Sequence, residues 1–351
     1  MGTSPTPSAS RRRTRARLAT AAAAVIMVTG AGLAALLVTS STSAAFPTLP
    51  ALGPVRDVYD GDFGDPFVLP VRSGPSPAAP TIYALFGTDD WPAHIPTAQS
   101  TDLANWQQGP DALPTLPVWA NPDPTNSLTW APALLATAYG YLMYVSVQEQ
   151  ASRRECIAAV FAAAPQGPYQ DALGAPLVCQ RDLGGSIDPS ITRDDQGRLH
   201  LIWKSDGSCC GLPSSIWTQD LAGDGLKLMG VAHRLLTADE PWQSGIIENP
   251  ALLQASGGGW WLFYSGNRFD AAAYATGLAY CPTLAGPCRE TSRRPFLATT
   301  GAATQHAPGG LDFFRDVHGT VWAALATWNR PPRNGRFYCC RSLDIAQVLR
   351  S

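Results

Sequence analysis

The sequence predicts an all-β domain built as a five-bladed propeller, and two observations predict it. Short runs of branched and aromatic residues alternate with glycine and proline, and stretches of helical periodicity are few. A proline-marked unit also returns five times, about every 60 residues. Several short strands per unit at one fixed period are typical of propeller blades.

Each unit begins with a proline, which is followed by a turn and then by an aromatic-rich strand. The five marked stretches are Gly-Asp-Pro-Phe-Val (64–68), Trp-Ala-Pro-Ala-Leu (130–134), Ile-Asp-Pro-Ser-Ile (187–191), Glu-Asn-Pro-Ala-Leu (248–252) and His-Ala-Pro-Gly-Gly (306–310). The strands that follow are 82–86, 141–144, 199–203, 260–264 and 321–325. A chance distribution of prolines would not place the same pattern after each one.

The position of these prolines predicts where the functional side chains lie. A proline at the first residue of a strand removes no ladder hydrogen bond and holds the preceding residue extended. The first strand of a propeller blade is the innermost, so its entrance faces the central axis. We therefore expect the two residues before each proline to converge on one shallow cavity. They are Gly64/Asp65, Trp130/Ala131, Ile187/Asp188, Glu248/Asn249 and His306/Ala307.

Three of the five blades offer a carboxylate at this cavity: Asp65, Asp188 and Glu248. Two carboxylic acids across a sugar can cleave a glycosidic bond, because one protonates the leaving oxygen while the other activates water. A third carboxylate raises the pKa of the acid by like-charge repulsion and can orient it. Trp130 can stack on a sugar ring, whereas packing between blades suits most of the other tryptophans better.

The N-terminal segment, residues 1–44, predicts export. Five arginines at 11–17 precede an apolar run from Leu18 to Val38. A run of small residues follows and ends in an A-x-A-like site, which is typical of signal-peptide cleavage. The apolar run is long enough to span a bilayer, so an uncleaved anchor is the alternative. The arginines leave the general and the twin-arginine export routes both open.

Residues 45–351 form the predicted propeller domain, with 20 basic and 27 acidic side chains and a net charge of −7. A net negative charge is not typical of proteins that bind nucleic acid, which present a basic surface to the phosphates. We expect a secreted monomer, membrane-anchored only if the first segment is not cleaved.

Eight cysteines in an exported chain predict disulfides. Cys156–Cys179 and Cys281–Cys288 are the favoured local pairs. The adjacent doublets Cys209-Cys210 and Cys339-Cys340 either pair with each other or form bridges between neighbours. A zinc site is the weaker alternative, because the sequence has no CxxC or His-Cys spacing typical of zinc ligands.

At the proline-marked stretches and around them the sequence resembles glycoside hydrolase family 43, a family of five-bladed propellers that hydrolyse arabinose- and xylose-containing glycans. The resemblance covers nearly all of residues 45–351. It is carried by 59–66, 94–96, 100–106, 130–132, 186–190, 204–207, 224–226, 241–242 and 246–250.

The resemblance implies an inverting, single-displacement mechanism. It makes Asp65 the general base, Asp188 the pKa-modulating and orienting acid, and Glu248 the general acid. It requires no cofactor and allows a structural calcium or sodium ion on the axis, held through water by His306, which would also bind substrate. Two positions depart from the family pattern, because His306 lacks flanking glycines and Asn249 replaces a smaller residue.

The expected function is hydrolysis of an oligo- or polysaccharide by an α-L-arabinofuranosidase or arabinanase. Many β-xylosidase-like members carry a C-terminal β-sandwich, and the sequence ends soon after the fifth repeat, at Ser351. A β-xylosidase and a non-catalytic glycan-binding propeller are the alternatives. The retaining enzymes of sucrose and fructan metabolism typically show Asn-Asp-Pro-Asn, Arg-Asp-Pro and Glu-Cys, which this sequence lacks.

Overall fold

The computed structural model describes residues 46–349 except 75, 77–78, 90–91, 123–127, 301–304 and 338–339. The predicted export segment, residues 1–44, and Cys339 therefore lie outside the described residues. No helix within the described part of the chain is long and apolar enough to cross a membrane.

The described residues form five antiparallel sheets, which confirms the predicted five-bladed propeller. Two short strands come first, β1 (Ala51–Leu52) and β2 (Arg56–Tyr59). Blade I consists of β3 (Phe67–Arg72), β4 (Thr81–Phe86), β5 (Thr97–Ser100) and β6 (Gln107–Gln108). Blade II consists of β7 (Thr129–Ala136), β8 (Tyr141–Gln148), β9 (Glu155–Ala162) and β10 (Gln170–Asp171).

Blades III to V follow the same order from the axis outward. Blade III consists of β11 (Ser186–Arg193), β12 (Leu199–Ser205), β13 (Ser215–Leu221) and β14 (Leu228–Thr237). Blade IV consists of β15 (Ile247–Gln254), β16 (Trp260–Gly266), β17 (Ala275–Cys281) and β18 (Arg289–Glu290). Blade V contains β19 (His306–Arg315), β20 (Val321–Trp328) and β21 (Arg341–Leu349). Short 3₁₀ turns span Arg181–Leu183, Gly207–Cys210 and Pro241–Gln243.

The predicted aromatic-rich runs are the second strands of the blades. Both faces of such a strand are covered by neighbouring blades, so its residues are apolar in succession rather than alternately. On β8, Leu142 and Tyr144 pack with blade III, while Met143 and Val145 pack with blade I. The hydrophobic core is thus divided into layers between consecutive blades.

The two ends of the described chain close the ring. Strands β1 and β2 both pair with β21, so the beginning of the domain completes the blade that its end has started. Ala51 lies opposite Leu349, and Asp57 lies opposite Asp344. This pairing protects the last strand from exposure as a free sheet edge.

The local conformation predicted for the five marked prolines is wrong in two respects. Each preceding residue has a positive φ of 47–54° rather than an extended conformation: Asp65, Ala131, Asp188, Asn249 and Ala307. In blades II to V the proline lies inside the inner strand, at a shift of register, and only in blade I does the strand begin after it. A bulge tolerates proline because the ladder makes no hydrogen bond there.

The structure joins Cys156 to Cys179 and Cys281 to Cys288, the two pairs that the sequence favours. It also joins the neighbours Cys209 and Cys210. Cys340 is disulfide-bonded as well, and no described cysteine is a free thiol.

The closing seam of the ring contains a buried acid, Asp344 on β21, with no exposed surface. Thr327 Oγ1 donates a hydrogen bond of 2.6 Å to its Oδ2, and the amide of Gln305 donates to Oδ1. Burial raises the pKa of Asp344 to about 7; the Thr327 and Gln305 hydrogen bonds oppose the rise, and the nearby Asp57 adds to it.

Because this pKa is raised, the protonated form is favoured in the folded state. Its stabilising contribution is complete below about pH 4 and is lost as the pH rises to about 7. We expect Asp344→Asn to remove that loss. About three pKa units correspond to about 4 kcal/mol, and at roughly 2–4 °C per kcal/mol the melting temperature of the variant relative to wild type should rise by about 10 °C between pH 4 and pH 8. Thermal unfolding across this range measures it, with the exposed Asp182→Asn as the control for lost charge. A difference that does not change with pH would contradict the prediction.

Candidate active site

A pocket of about 550 Å³ opens on the face where the inner strands begin. It is lined by residues of every blade: Asp65, Thr88, Asp89, Leu128, Trp130, Ile187, Asp188, Lys204, Asp206, Ser208, Cys209, Ile246, Glu248, Asn249, Arg268, Phe269 and Arg341. The structure therefore brings together four residues selected from the sequence, Asp65, Asp188, Glu248 and Trp130. The three carboxylates come from blades I, III and IV.

The carboxylate of Asp65 is held from two sides. Thr88 Oγ1 donates a hydrogen bond of 2.5 Å to Asp65 Oδ2, and the backbone N–H of Ala131 donates to Thr88 Oγ1 at 3.1 Å. On the other side, Arg341 Nη1 lies 3.6 Å from Asp65 Oδ2. One oxygen of Asp65 is thus fixed by donors, and its orientation in the pocket is determined before any ligand binds.

Arg341 occupies the place of a side chain that blade I lacks. Gly64 stands at the repeat position that holds Trp130 in blade II and Glu248 in blade IV. A Cβ atom at Gly64 would lie 1.8 Å from Arg341 Cζ, so the guanidinium group lies directly over the glycine. The Asp62 carboxylate, 3.9 Å from Arg341 Nε, and the ring of Phe269, 5.5 Å from Arg341 Cζ, fix that guanidinium.

Glu248 has a donor at each carboxylate oxygen. Lys204 Nζ lies 2.9 Å from Oε2, and the hydroxyl of Tyr274 donates to Oε1 at 2.9 Å. Lys204 is 2 % exposed and also lies 3.3 Å from Asp206 Oδ1. Burial alone would lower the pKa of Lys204, but Glu248, Asp206 and Asp188 together raise it above its usual range. The lysine therefore remains a cation between carboxylates.

Asp188 is the most buried of the three acids, with 5 % of its surface exposed. Its Oδ2 accepts a hydrogen bond of 3.0 Å from the backbone N–H of Asn249. Burial raises the pKa of Asp188 well above its ordinary value; Lys204 opposes this rise, while Glu248 and Asp65 add to it. Asp188 consequently keeps its proton to a higher pH than an exposed aspartate does, and its charge state is linked to those of its neighbours.

Tyr274 is a member of the site that the sequence does not indicate. Its side chain is 5 % exposed, and its hydroxyl can also donate to Asn249 Oδ1 at 3.2 Å. Burial, Glu248 and Asp65 raise the pKa of Tyr274 well above its usual value, so the hydroxyl remains a donor. A Cβ atom at Gly309 would lie 2.2 Å from Tyr274 Cε1, so this glycine makes room for the ring.

The structure does not place His306 in the pocket. Its ring lies 6.0 Å from that of Phe337, and His306 is not among the described residues that line the pocket. The inner strand of blade V has two shifts of register, between His306 and Gly309 and between Gly309 and Asp312, where blades II, III and IV have one. The structure therefore does not bring His306 together with the residues that line the pocket, and its contact with substrate or an axial ion stays a prediction.

A narrow channel of about 30 Å³ continues along the axis below the pocket, lined by Asp65, Asp188, Asn249 and Asp312 among others. Burial raises the pKa of Asp312 to about 7, and a hydrogen bond from the Phe313 backbone opposes this rise. Carboxylate and amide oxygens are ligands that calcium accepts, so this donor set fits a hard cation and does not include His306. A second cluster, Glu149 with Cys156 and Cys179, offers no thiolate because its cysteines form a disulfide.

Comparison with known proteins identifies one family and two related sequences. Residues 59–348 match the family Glycosyl hydrolases family 43. The chain is 28% identical over 235 residues to the β-D-galactofuranosidase xynD of Aspergillus niger, which covers 62% of this chain and 64% of that protein. It is 30% identical over 172 residues to the extracellular exo-α-(1→5)-L-arabinofuranosidase ArbA of Cellvibrio japonicus, covering 46% and 45%. The chain thus matches less than two thirds of the length of either relative.

Solved structures share the fold. A thermostable family-43 glycoside hydrolase superimposes with a TM-score of 0.70 at 22% identity, over 88% of this chain and 94% of the other. An endo-arabinase from Bacteroides thetaiotaomicron gives a TM-score of 0.66 at 18% identity, over 84% and 97%.

The contact between Gly64 and Arg341 yields a direct test. In Gly64→Ala the new methyl group displaces the guanidinium, whose long side chain can move without unfolding the blade. We expect kcat/KM to fall roughly 10- to 100-fold, the loss that follows when a site group moves by about 1 Å, while the melting temperature stays nearly unchanged. Gly74→Ala is the matched control, because its Cβ would meet only Ala79 at 3.7 Å. Equal activity of both variants would contradict a role for Arg341.

Proposed function

The chain belongs to glycosyl hydrolases family 43, and from this membership we propose that it hydrolyses α-L-arabinofuranosides by an inverting mechanism. The observation that carries the proposal is the pocket in which three carboxylates meet with different partners. Asp65 lies against Arg341 and Thr88, whereas Glu248 lies against Lys204 and Tyr274. Two carboxylates in unlike surroundings can divide the tasks of base and acid.

In the proposed mechanism Asp65 takes a proton from the attacking water while Glu248 protonates the leaving oxygen. Thr88 and Arg341 hold Asp65 in position, and Asp188 keeps the proposed role of the pKa-modulating and orienting acid. Trp130 offers its ring to the apolar face of the sugar. Inversion needs about 6.5–9.5 Å between base and acid, so that water fits beside the sugar.

The arabinofuranoside is favoured by the two curated relatives. Their names state activity on a galactofuranoside and on an arabinofuranoside, and both sugars are five-membered rings. A pocket shaped for a furanose would exclude the six-membered ring of xylopyranose from the same contacts. We therefore place the β-xylosidase second and the non-catalytic glycan binder third.

Export and an axial cation are part of the proposal. Three disulfides within the described residues support an oxidising compartment, as the N-terminal segment predicts. A calcium or sodium ion in the axial channel would be held by Asp312 and the carboxylates above it, and would supply charge balance there.

A substrate panel with the purified protein tests the proposed specificity. We expect aryl α-L-arabinofuranoside to be cleaved at least tenfold faster than aryl β-D-galactofuranoside and aryl β-D-xyloside, with release of arabinose from arabinan. Proton NMR of the first product should show the β-anomer, the inverted configuration. Release of the α-anomer would point to a retaining nucleophile, and a preference for xyloside would replace arabinofuranosidase by the second candidate.

Substitution of the base and the acid separates their roles. Glu248→Gln removes the proton donor, so substrates with poor leaving groups should lose about 10²–10⁴-fold in rate. Aryl glycosides of acidic phenols should lose much less, because their leaving oxygen hardly needs a proton. Asp65→Asn removes the base, so both kinds of substrate should lose rate together.

The measurement is kcat/KM over a series of aryl leaving groups for wild type and both variants. Matched folding is checked by thermal unfolding. If Asp65→Asn and Glu248→Gln gave the same dependence on the leaving group, the assignment of base and acid would be wrong.

A further inference from the structure

The disulfide between neighbours, Cys209–Cys210, lies at the edge of the pocket. It falls in the connection between β12 and β13, and such second-to-third-strand connections emerge on the face where the inner strands begin. In the sequence, the other doublet, Cys339-Cys340, falls in the equivalent connection of blade V, directly before Arg341. The Cys209–Cys210 bridge and Cys340 therefore belong to loops of the functional face.

The bridge is presented to the pocket rather than to the core. Ser208 and Cys209 line the pocket, and Cys209 is exposed. From the neighbouring blade, Arg154 Nη1 donates to Cys210 Sγ at 2.7 Å and to Cys209 Sγ at 3.3 Å. The guanidinium thus contacts both sulfur atoms; Cys209 Sγ also lies 3.4 Å from the carbonyl oxygen of Gly184, and Cys209 as a whole remains exposed.

The loop with this bridge lies on the side of Glu248. The backbone N–H of Cys209 donates to the carbonyl of Asp206, the Asp206 carboxylate lies 3.3 Å from Lys204 Nζ, and that ammonium contacts Glu248 Oε2. A general acid stands next to the leaving group that it protonates. The bridge, which lines the same pocket as Glu248, therefore borders the space that the leaving group enters.

The chemistry of such a bridge suits the apolar face of a sugar. Two adjacent cysteines close an eight-membered ring that contains a peptide bond, so the sulfur atoms cannot change rotamer freely and lose little entropy on contact. Sulfur is polarizable and makes favourable contacts with C–H groups and ring faces. Binding pockets combine such apolar walls with a few polar groups that fix orientation.

We propose that the Cys209–Cys210 bridge forms the wall of the leaving-group subsite and contacts the apolar face of the sugar on the reducing-end side of the scissile bond. This inference rests on the proposed function, because it takes Glu248 as the acid. The bridge determines which aglycone is accepted, whereas Trp130 contacts the glycone on the other side of the scissile bond.

Two substrates of the same glycone isolate this subsite. α-1,5-L-arabinobiose fills it with a sugar, and methyl α-L-arabinofuranoside leaves it nearly empty, while both leaving groups are alkoxides that need a similar proton transfer. In Cys209→Ser/Cys210→Ser we expect kcat/KM for the disaccharide to fall roughly tenfold, through KM, as befits one lost apolar contact. The methyl glycoside should stay within about twofold of wild type.

Leu212→Ala is the matched control, because Leu212 is a 43 % exposed apolar residue of the same loop that does not line the pocket. It should leave both substrates unchanged. If the double variant does not fold, the same ratio is measured on wild type in dithiothreitol, which should reach the exposed bridge first.

The outcomes separate the two proposals. A wild-type enzyme that cleaves neither arabinofuranoside ends the proposed function. An active enzyme whose double variant keeps the wild-type ratio of the two substrates ends the subsite proposal alone. An equal loss on both substrates also overturns it, since the bridge would then act only by bracing Asp206, Lys204 and Glu248.

Discussion

In blades II to V the inner strand leaves its ladder at the marked proline, in blade I the strand begins there, and the whole site depends on this bend. In all five blades the residue before the marked proline adopts a left-handed conformation, which costs a non-glycine residue roughly 1–3 kcal/mol. The residues that accept it are short: two aspartates, an asparagine and two alanines. The proline lacks an N–H and therefore suits the point where the ladder is interrupted. In blades I to IV, side chains next to the bend consequently face the pocket or the axial channel.

The second constraint is electrostatic, because several carboxylates share one pocket. Two cations divide them into groups. Arg341, whose charge is permanent, contacts Asp65 and Asp62, and Lys204 contacts Glu248 and Asp206. Asp188 lies between the groups, and burial raises its pKa although the charge of Lys204 opposes the rise. The pocket thus gives three chemically similar groups three different environments.

The five blades repeat in sequence, yet the site is asymmetric because side chains substitute for one another across blades. Blade I has glycine where blades II and IV have Trp130 and Glu248, and Arg341 of blade V covers that glycine. Blade V itself bends twice, so His306 turns toward Phe337 and Asp312 reaches the channel. A ring of five similar units can therefore present one catalytic arrangement, since each unit departs from the repeat at a different position.

The sequence by itself determined the number of blades, their second strands, the three carboxylates and two of the disulfides. Those features depend on local patterns: a period, a proline with its flanking residues, and cysteines close along the chain. Only the tertiary structure decided the left-handed bends and the pocket roles of Arg341, Lys204 and Tyr274. Arg341 is separated from Gly64 by nearly the entire domain, and Tyr274 reaches Glu248 only because Gly309 of another blade leaves space. Contacts of this kind arise when the ring closes, because β1 and β2 then pair with β21 and bring the two ends of the domain together.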